Sequence, residues 1–229
     1  MCGRYVQVSS PQLLAERFHV TETAVEERDA DYNVAPSKKV PVVVQRSPDR
    51  RVLEEMRWGL VPSWARDPAV GNRLINARAE GLAGKPSYKG PFRRRRCIIP
   101  ADAFYEWRVV PGQKRKQPVV LRARDGEPLA FAGLWDTWRD PGDPDAPWLV
   151  TCVIITTAAN ETVRPIHDRM PALLEPGDWD RWLDPRVTDP AEVAPLLVPA
   201  PPDVLVATEV STRVNDVRNN GPDLVRPVA

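Results

Sequence analysis

Only three cysteines and two histidines occur among the 229 residues. Cys2, Cys97 and Cys152 are odd in number and widely spaced, so they give no disulfide framework and suit a reducing compartment. No Cys/His spacing matches a zinc site, and neither a metal nor a cofactor is expected. Long apolar runs are also missing: none approaches the roughly 20 residues that span a bilayer. No basic segment leads into an apolar stretch at the N-terminus, so the expectation is a cytoplasmic protein without a secretory signal or a membrane partner. Charge of one sign is lacking too, with 32 Lys and Arg against 31 Asp and Glu and a net charge of +1. A polycation that holds nucleic acid by bulk charge is thereby excluded. Two local runs depart from this balance, Arg93 to Arg96 and Lys114 to Lys116. Such runs are either phosphate-binding stripes or solvated faces.

Proline, by contrast, is abundant, with 26 residues spread along the chain. That pattern predicts many short elements joined by rigid turns. GRYVQV reads as a first strand, and SSPQLLAERF as a helix with Ser10 as N-cap and Pro11 at its first position. KKVPVVVQR and RVLEEMRWG pair around SPDR, and CIIPADAFYEWRVV is strand-like. QPVVLRARDGEPLAFAGLW is expected to be a hairpin around Asp125-Gly126. WLVTCVIITTAA is apolar almost throughout and predicts a central buried strand. EPGDWDRWL and DPAEVAPLL predict short helices, and DVLVATEVS a last strand. The fold class expected is α+β, one domain over residues 1–229 with a curled sheet.

Chemistry concentrates in a few places. If the initiator methionine is removed, Cys2 carries an α-amine beside a thiol. The amine can form a Schiff base with an aldehyde, and the thiol can close on the imine carbon to give a thiazolidine. The same residue could serve as the nucleophile of an N-terminal-nucleophile hydrolase, or lie buried and idle. In AFYEWR, alternation puts Phe104 and Glu106 on one face and Tyr105 and Trp107 on the other. A carboxyl in so aromatic a run is either raised in pKa for proton transfer or paired with an Arg at a sheet edge. His167 in PIHDRMP is a proton carrier or a structural histidine, with Arg169 two residues on. INARAE offers Asn76 for a hydroxyl or carbonyl and Arg78 for a phosphate. Asn33 in YNVAPS sits in a turn-like setting, as a ligand contact or a cap. Trp64, between prolines and charges, either stacks on a base or packs its own loop.

MCGRY, YNVAP, WGLVPSW, NARAE, RRCIIPADAFYEW, TTAAN, IHDRMP and VNDVRNNGP occur in this order. Together they resemble the SRAP family, the SOS response-associated peptidase domain, from Cys2 to about Pro222. The resemblance implies a barrel-like, mostly antiparallel β-core flanked by short helices, with a basic cleft for DNA. It implies loss of Met1 and a covalent thiazolidine between Cys2 and the ring-opened aldehyde of an abasic site in single-stranded DNA. It assigns Asn76 to the open sugar, Glu106 to acid–base work, and His167 to opening the sugar ring. Arg4, Arg78 and Arg169 are implied as phosphate clamps, Trp64 as a wedge beside the lesion, and Asn33 as part of the DNA-binding set. The family name raises a competing activity, a cysteine-type peptidase or autoprotease. Two positions depart from the family pattern: Gly81 where Thr is common after NAR-x-E, and Ala103 where Gly is common before FYEW.

An aminothiol at Cys2 predicts that the purified protein has an intact mass one methionine residue below that of the full chain. Mass spectrometry showing Met1 retained throughout removes the aminothiol.

Overall fold

Period-two alternation and proline-set breaks produce short strands rather than long helices. The computed structural model describes residues 2–228. In chain order the elements are β1 (Tyr5–Gln7), α1 (Pro11–Arg17), β2 (Glu22–Thr23), β3 (Asp31–Val34), β4 (Lys39–Ser47), β5 (Arg50–Trp58) and β6 (Asn76–Arg78). They continue with α2 (Pro86–Arg94), β7 (Arg96–Ala101), β8 (Ala103–Arg108), β9 (Gln117–Ala123), β10 (Leu129–Trp138), β11 (Leu149–Ala158) and β12 (Arg169–Pro171). Two short helices, α3 (Trp179–Leu183) and α4 (Pro190–Val193), precede β13 (Leu205–Glu209). The expected cap of α1 is in place: Ser10 Oγ accepts from the Leu13 N–H at 3.2 Å, ahead of Pro11.

The strands form two sheets, and the mixed α+β class is as expected. In the first, β13, β9, β8, β1 and β3 lie side by side, all antiparallel. In the second, β11, β10, β7, β4 and β5 pair in sequence, and β5 returns to β11 through a parallel contact of Arg57 with Thr151 and Trp58 with Cys152. That contact closes the five strands into a ring, the physical form of the expected barrel-like core. One expectation fails. β9 and β10 do not form a hairpin: β9 pairs with β8 and β13, while β10 pairs with β7 and β11. The Asp125-Gly126 turn is real, with Gly126 at φ +82°, but it carries the chain from one sheet to the other.

Alternation sorts the strand residues between two cores. Val42, Val44, Ile99, Phe131 and Ile154 share a core with Tyr5, Phe104 and Leu121 of the first sheet. Their neighbours Val43, Ile98, Ala132 and Val153 face Leu14, Phe18, Phe92 and Trp182 of the helices. Aromatic contacts knit the first core, with ring centroids of Tyr5 and Trp58 at 5.3 Å and of Phe104 and Phe131 at 5.8 Å. Cys2 is fully buried within it.

The arginine run does not form a continuous stripe. Arg96 is buried and donates to the backbone carbonyls of Phe92, Arg93, Trp182, Asp184 and Val187; burial lowers its pKa to about 10. Arg95 pairs with the buried Asp136 at 3.2 Å, which leaves Arg93 and Arg94 exposed.

A close backbone approach sets the loop that carries Trp64. Gly59, at φ +126°, faces Gly71, and a Cβ built on Gly71 would lie 2.7 Å from Gly59 O and 2.8 Å from Arg57 Nη1. No real Cβ makes such contacts, so Gly71→Ala must push the loop off the barrel. Overpacking of this kind costs about 1–3 kcal/mol. A urea melt should show a lower midpoint with little change in slope, and an unchanged midpoint would mean that the two segments part without cost.

Candidate active site

β11 positions most of the candidate residues. It pairs in parallel with β6, with Ile154 opposite Asn76 and Thr156 opposite Arg78. Beyond that it pairs antiparallel with β12, with Ala158 opposite Arg169. Alternation on β6 buries Ala77 and turns Asn76 and Arg78 to the other side, where Arg78 is exposed. Asn76 Nδ2 donates to the Cys2 carbonyl at 2.8 Å and so fixes the N-terminal segment. Its Oδ1 is buried with no hydrogen-bond partner among the described residues. An acceptor in that state suits an incoming hydroxyl.

Glu106 lies on β8, a central strand between β1 and β9. It shares the inward face with Phe104, as alternation predicts, and is 2 % exposed. Burial raises its pKa from 4.5 to about 7. Its carboxylate is close enough to add to the effect of burial on the Cys2 thiol, whose pKa is pushed far up. Ala103, one of the two departures from the family pattern, packs on the opposite face with Val6, Tyr105 and Val120.

His167 is partly buried, and burial lowers its pKa below 6.5. Its Nδ1 lies 3.0 Å from the Arg169 N–H and 2.9 Å from Asp168 Oδ1. One nitrogen cannot accept from the first and donate to the second in the same protonation state. With the pKa lowered, the neutral ring is the resting form: Nδ1 accepts the backbone N–H, and the proton sits on Nε2. The Asp168 side chain is 82 % exposed, so its attraction for a protonated ring is screened by water. Lys116, the last residue of the second basic run, lies near enough for its charge to lower the pKa of both Glu106 and His167.

Not every candidate joins this cluster in the same way. Asn33 is fully buried, its Oδ1 accepting from Arg4 Nη1 at 2.6 Å. Its Nδ2 reaches the carbonyls of Val214, Asp216 and Asn219 at 3.3, 3.0 and 2.9 Å. Arg4 Nη1 also donates to Val214 O at 2.9 Å. Asn33 thus lies in strand β3 and not in a turn, and its buried side chain fastens the distant 214–219 segment to Arg4 instead of capping its own loop. Arg4 is half-buried and partly spent on the same joint. Trp64 is 62 % exposed on the loop after β5, and that loop is anchored where Val61 N–H donates to Thr151 Oγ1 at 2.9 Å. Along β11 this anchor lies five residues from Thr156, opposite Arg78, and seven from Ala158, opposite Arg169, about 17 and 23 Å at 3.3 Å per residue.

Sequence reading alone passed over the residues that hold this frame. Glu80 grips Arg169, and Asp216 and Asn219 grip Asn33. Both groups lie inside motifs that were visible, NARAE and VNDVRNNGP, but their partners are 89 and 183 or more residues away. Among the described residues, no group of three or more His, Cys, Asp and Glu side chains could hold a metal ion, and no helix is long and apolar enough to cross a membrane.

A family model described as SOS response associated peptidase (SRAP) matches residues 1–217. The chain belongs to the SRAP family. Among SRAP relatives, it is 42 % identical over 227 residues to the abasic site processing protein YoqW of Bacillus subtilis, covering 98 % of this chain and 99 % of that one. It is 36 % identical to the abasic site processing protein HMCES of Gallus gallus, over 86 % of this chain and 66 % of that protein. In three dimensions, a crystal structure of a Bacteroides thetaiotaomicron protein superposes with a TM-score of 0.86 at 26 % identity, covering 100 % of both chains. Removal of Met1, expected from the SRAP resemblance, lies outside the described residues.

The raised pKa of Glu106 has a consequence for stability. Between about pH 4.5 and 7 the unfolded chain ionises at this residue while the folded protein stays protonated. Stability from this group is therefore full below pH 4.5 and is lost as pH rises through about 7. Glu106→Gln removes the titration. Relative to the native protein, it should gain up to about 3 kcal/mol between pH 5 and pH 8. Urea unfolding at the two pH values measures the difference, and a constant offset would show that the carboxyl titrates normally.

Proposed function

We propose that the protein captures abasic sites in single-stranded DNA by forming a thiazolidine between Cys2 and the opened sugar. One observation carries this reading: Asn76 holds Cys2 in place beside a carboxyl, Glu106, that half-titrates at neutral pH. The names of the relatives, abasic site processing proteins, support a role at such lesions.

The chemistry follows from what each group can do. An abasic sugar rests mainly as a closed hemiacetal. Opening it delivers a proton to the ring oxygen and takes one from the C1′ hydroxyl, which leaves an aldehyde. His167, neutral with its proton on Nε2, is suited to that exchange. The buried Oδ1 of Asn76 accepts from a hydroxyl of the open chain. The α-amine of Cys2 adds to C1′, and the resulting carbinolamine loses water once its hydroxyl is protonated. Glu106, with a pKa of about 7, can give that proton. The Cys2 sulfur then adds to the imine carbon while its proton passes to the Glu106 carboxylate. The ring closed is N, Cα, Cβ, Sγ and C1′, and the net loss is one water.

The state of the thiol favours this order. Burial and the neighbouring carboxylate both oppose a thiolate at Cys2. A peptidase needs that thiolate as the attacking group. An imine route needs the amine first, and the thiol only after a strong electrophile stands beside it. Phosphates of the strand would meet Arg78 and Arg169 near one end of β11, and Trp64 would stack on a base toward the other.

A denaturing gel tests the reading. An abasic single-stranded oligonucleotide should give a shifted band stable to heat and detergent, and an intact one should not. Cys2→Ser, or a tag left ahead of Cys2, should abolish the band. A shift lost on denaturation means non-covalent reading only, and peptide cleavage without DNA means a peptidase. Either result overturns the proposal.

A further inference from the structure

Arg169 is assigned above to a DNA phosphate, yet within the protein its fork already grips a carboxylate. Nη1 lies 2.7 Å from Glu80 Oε1, and Nη2 lies 3.0 Å from Oε2. Nη2 also donates to the Thr156 carbonyl at 2.6 Å. The two partners differ in freedom. The Arg169 side chain is 12 % exposed, and its residue is pinned by strand pairing with Ala158; the Glu80 side chain is 59 % exposed on a single turn after β6. The arginine is therefore the fixed member and the glutamate the movable one.

We propose that Glu80 is a built-in stand-in for the DNA phosphate, closing the fork of Arg169 until a backbone phosphate displaces it. The proposal rests on the reading that Arg169 holds a phosphate. Carboxylate and phosphate present the same pair of oxygens to a guanidinium, so one can replace the other without any change in the arginine. Orientation of Arg169 does not need Glu80, because the Thr156 carbonyl and the strand pairing already supply it. Arg78, two residues before Glu80, is the other cation that faces this carboxylate, and the hydrogen bonds from Arg169 hold Glu80 ionised. Two arginines and one glutamate present one net positive charge to an approaching strand instead of two. Intact single-stranded DNA is thereby held weakly and released, and retention is left to the covalent step at a lesion.

The test is non-covalent binding of an intact single-stranded oligonucleotide, read by fluorescence anisotropy at low ionic strength. Four proteins are compared: the native sequence, Glu80→Gln, Arg169→Met (which keeps the buried stem) and the double variant. A pair whose glutamate is open to water opposes its competitor by a small factor, so Glu80→Gln should bind about two- to fivefold more tightly. In the Arg169→Met background the same change should have no effect, because the fork it occupied is gone. Glu80→Gln binding no more tightly than the native protein overturns the proposal. So does an equal gain with and without Arg169, which would mark Glu80 as a distant repulsive charge. Glu80→Ala, also at an exposed position, repeats the measurement without the amide. If Arg169→Met itself binds as the native protein does, the phosphate assignment of Arg169 fails, a result separate from the other two.

Discussion

The pairing of β11 on both edges is the constraint on which the rest depends. One edge is taken by β10; the other is shared between β5, which closes the barrel, and β6, which brings Asn76 and Arg78. β12 then adds Arg169 at its far end. A strand this heavily used has no register to spare. A slip of one residue would turn Asn76 and Arg78 into the core and push Ala77 out. The almost unbroken apolar run from Leu149 to Ala158 is the sequence form of that requirement, since both faces of β11 are covered.

Against this rigid frame the site places polar groups where apolar ones would pack better. Cys2 and Glu106 sit in or against the core of Tyr5, Trp58, Phe104 and Phe131. Burying a carboxyl there is unfavourable whenever it is charged, and the raised pKa of Glu106 is the measure of it. Burial keeps the thiol protonated by the same physics. One apolar wall thus disfavours both anions and brings the titration of the carboxyl to about neutral pH. The stability for this comes from elsewhere, from the aromatic contacts and the fully closed ring of strands.

Much of the frame was legible in the chain. The Ser10-Pro11 pair marks a helix start, alternation in AFYEWR buries Glu106, and the apolar run marks the central strand. What was not legible concerns partners rather than elements. A turn signal such as Asp125-Gly126 states that the chain reverses, not whether the next strand joins the same sheet. Four consecutive arginines look alike in sequence, yet Arg96 is buried under five carbonyls because it begins a strand whose side chains alternate. Of the site, composition and spacing supplied only candidates with open alternatives; the order of eight motifs supplied the family. Asn33 shows the limit of both, since the carbonyls its side chain fastens lie 181 to 186 residues away.

That fastening has a consequence for how the protein is made. Arg4 and Asn33 are locked to carbonyls at Val214, Asp216 and Asn219, so the neighbourhood of Cys2 is completed only by residues near the end of the chain. Synthesis runs from the N-terminus at a rate of about 5–20 residues per second. For roughly ten seconds or more after Arg4 and Asn33 leave the ribosome, the carbonyls that fasten them are therefore still to be made. In the folded protein Cys2 has no exposed surface. A chain that folded from its first strands alone would leave Arg4 and Asn33 without these partners, so the surroundings of Cys2 are among the last parts of the fold to be fixed.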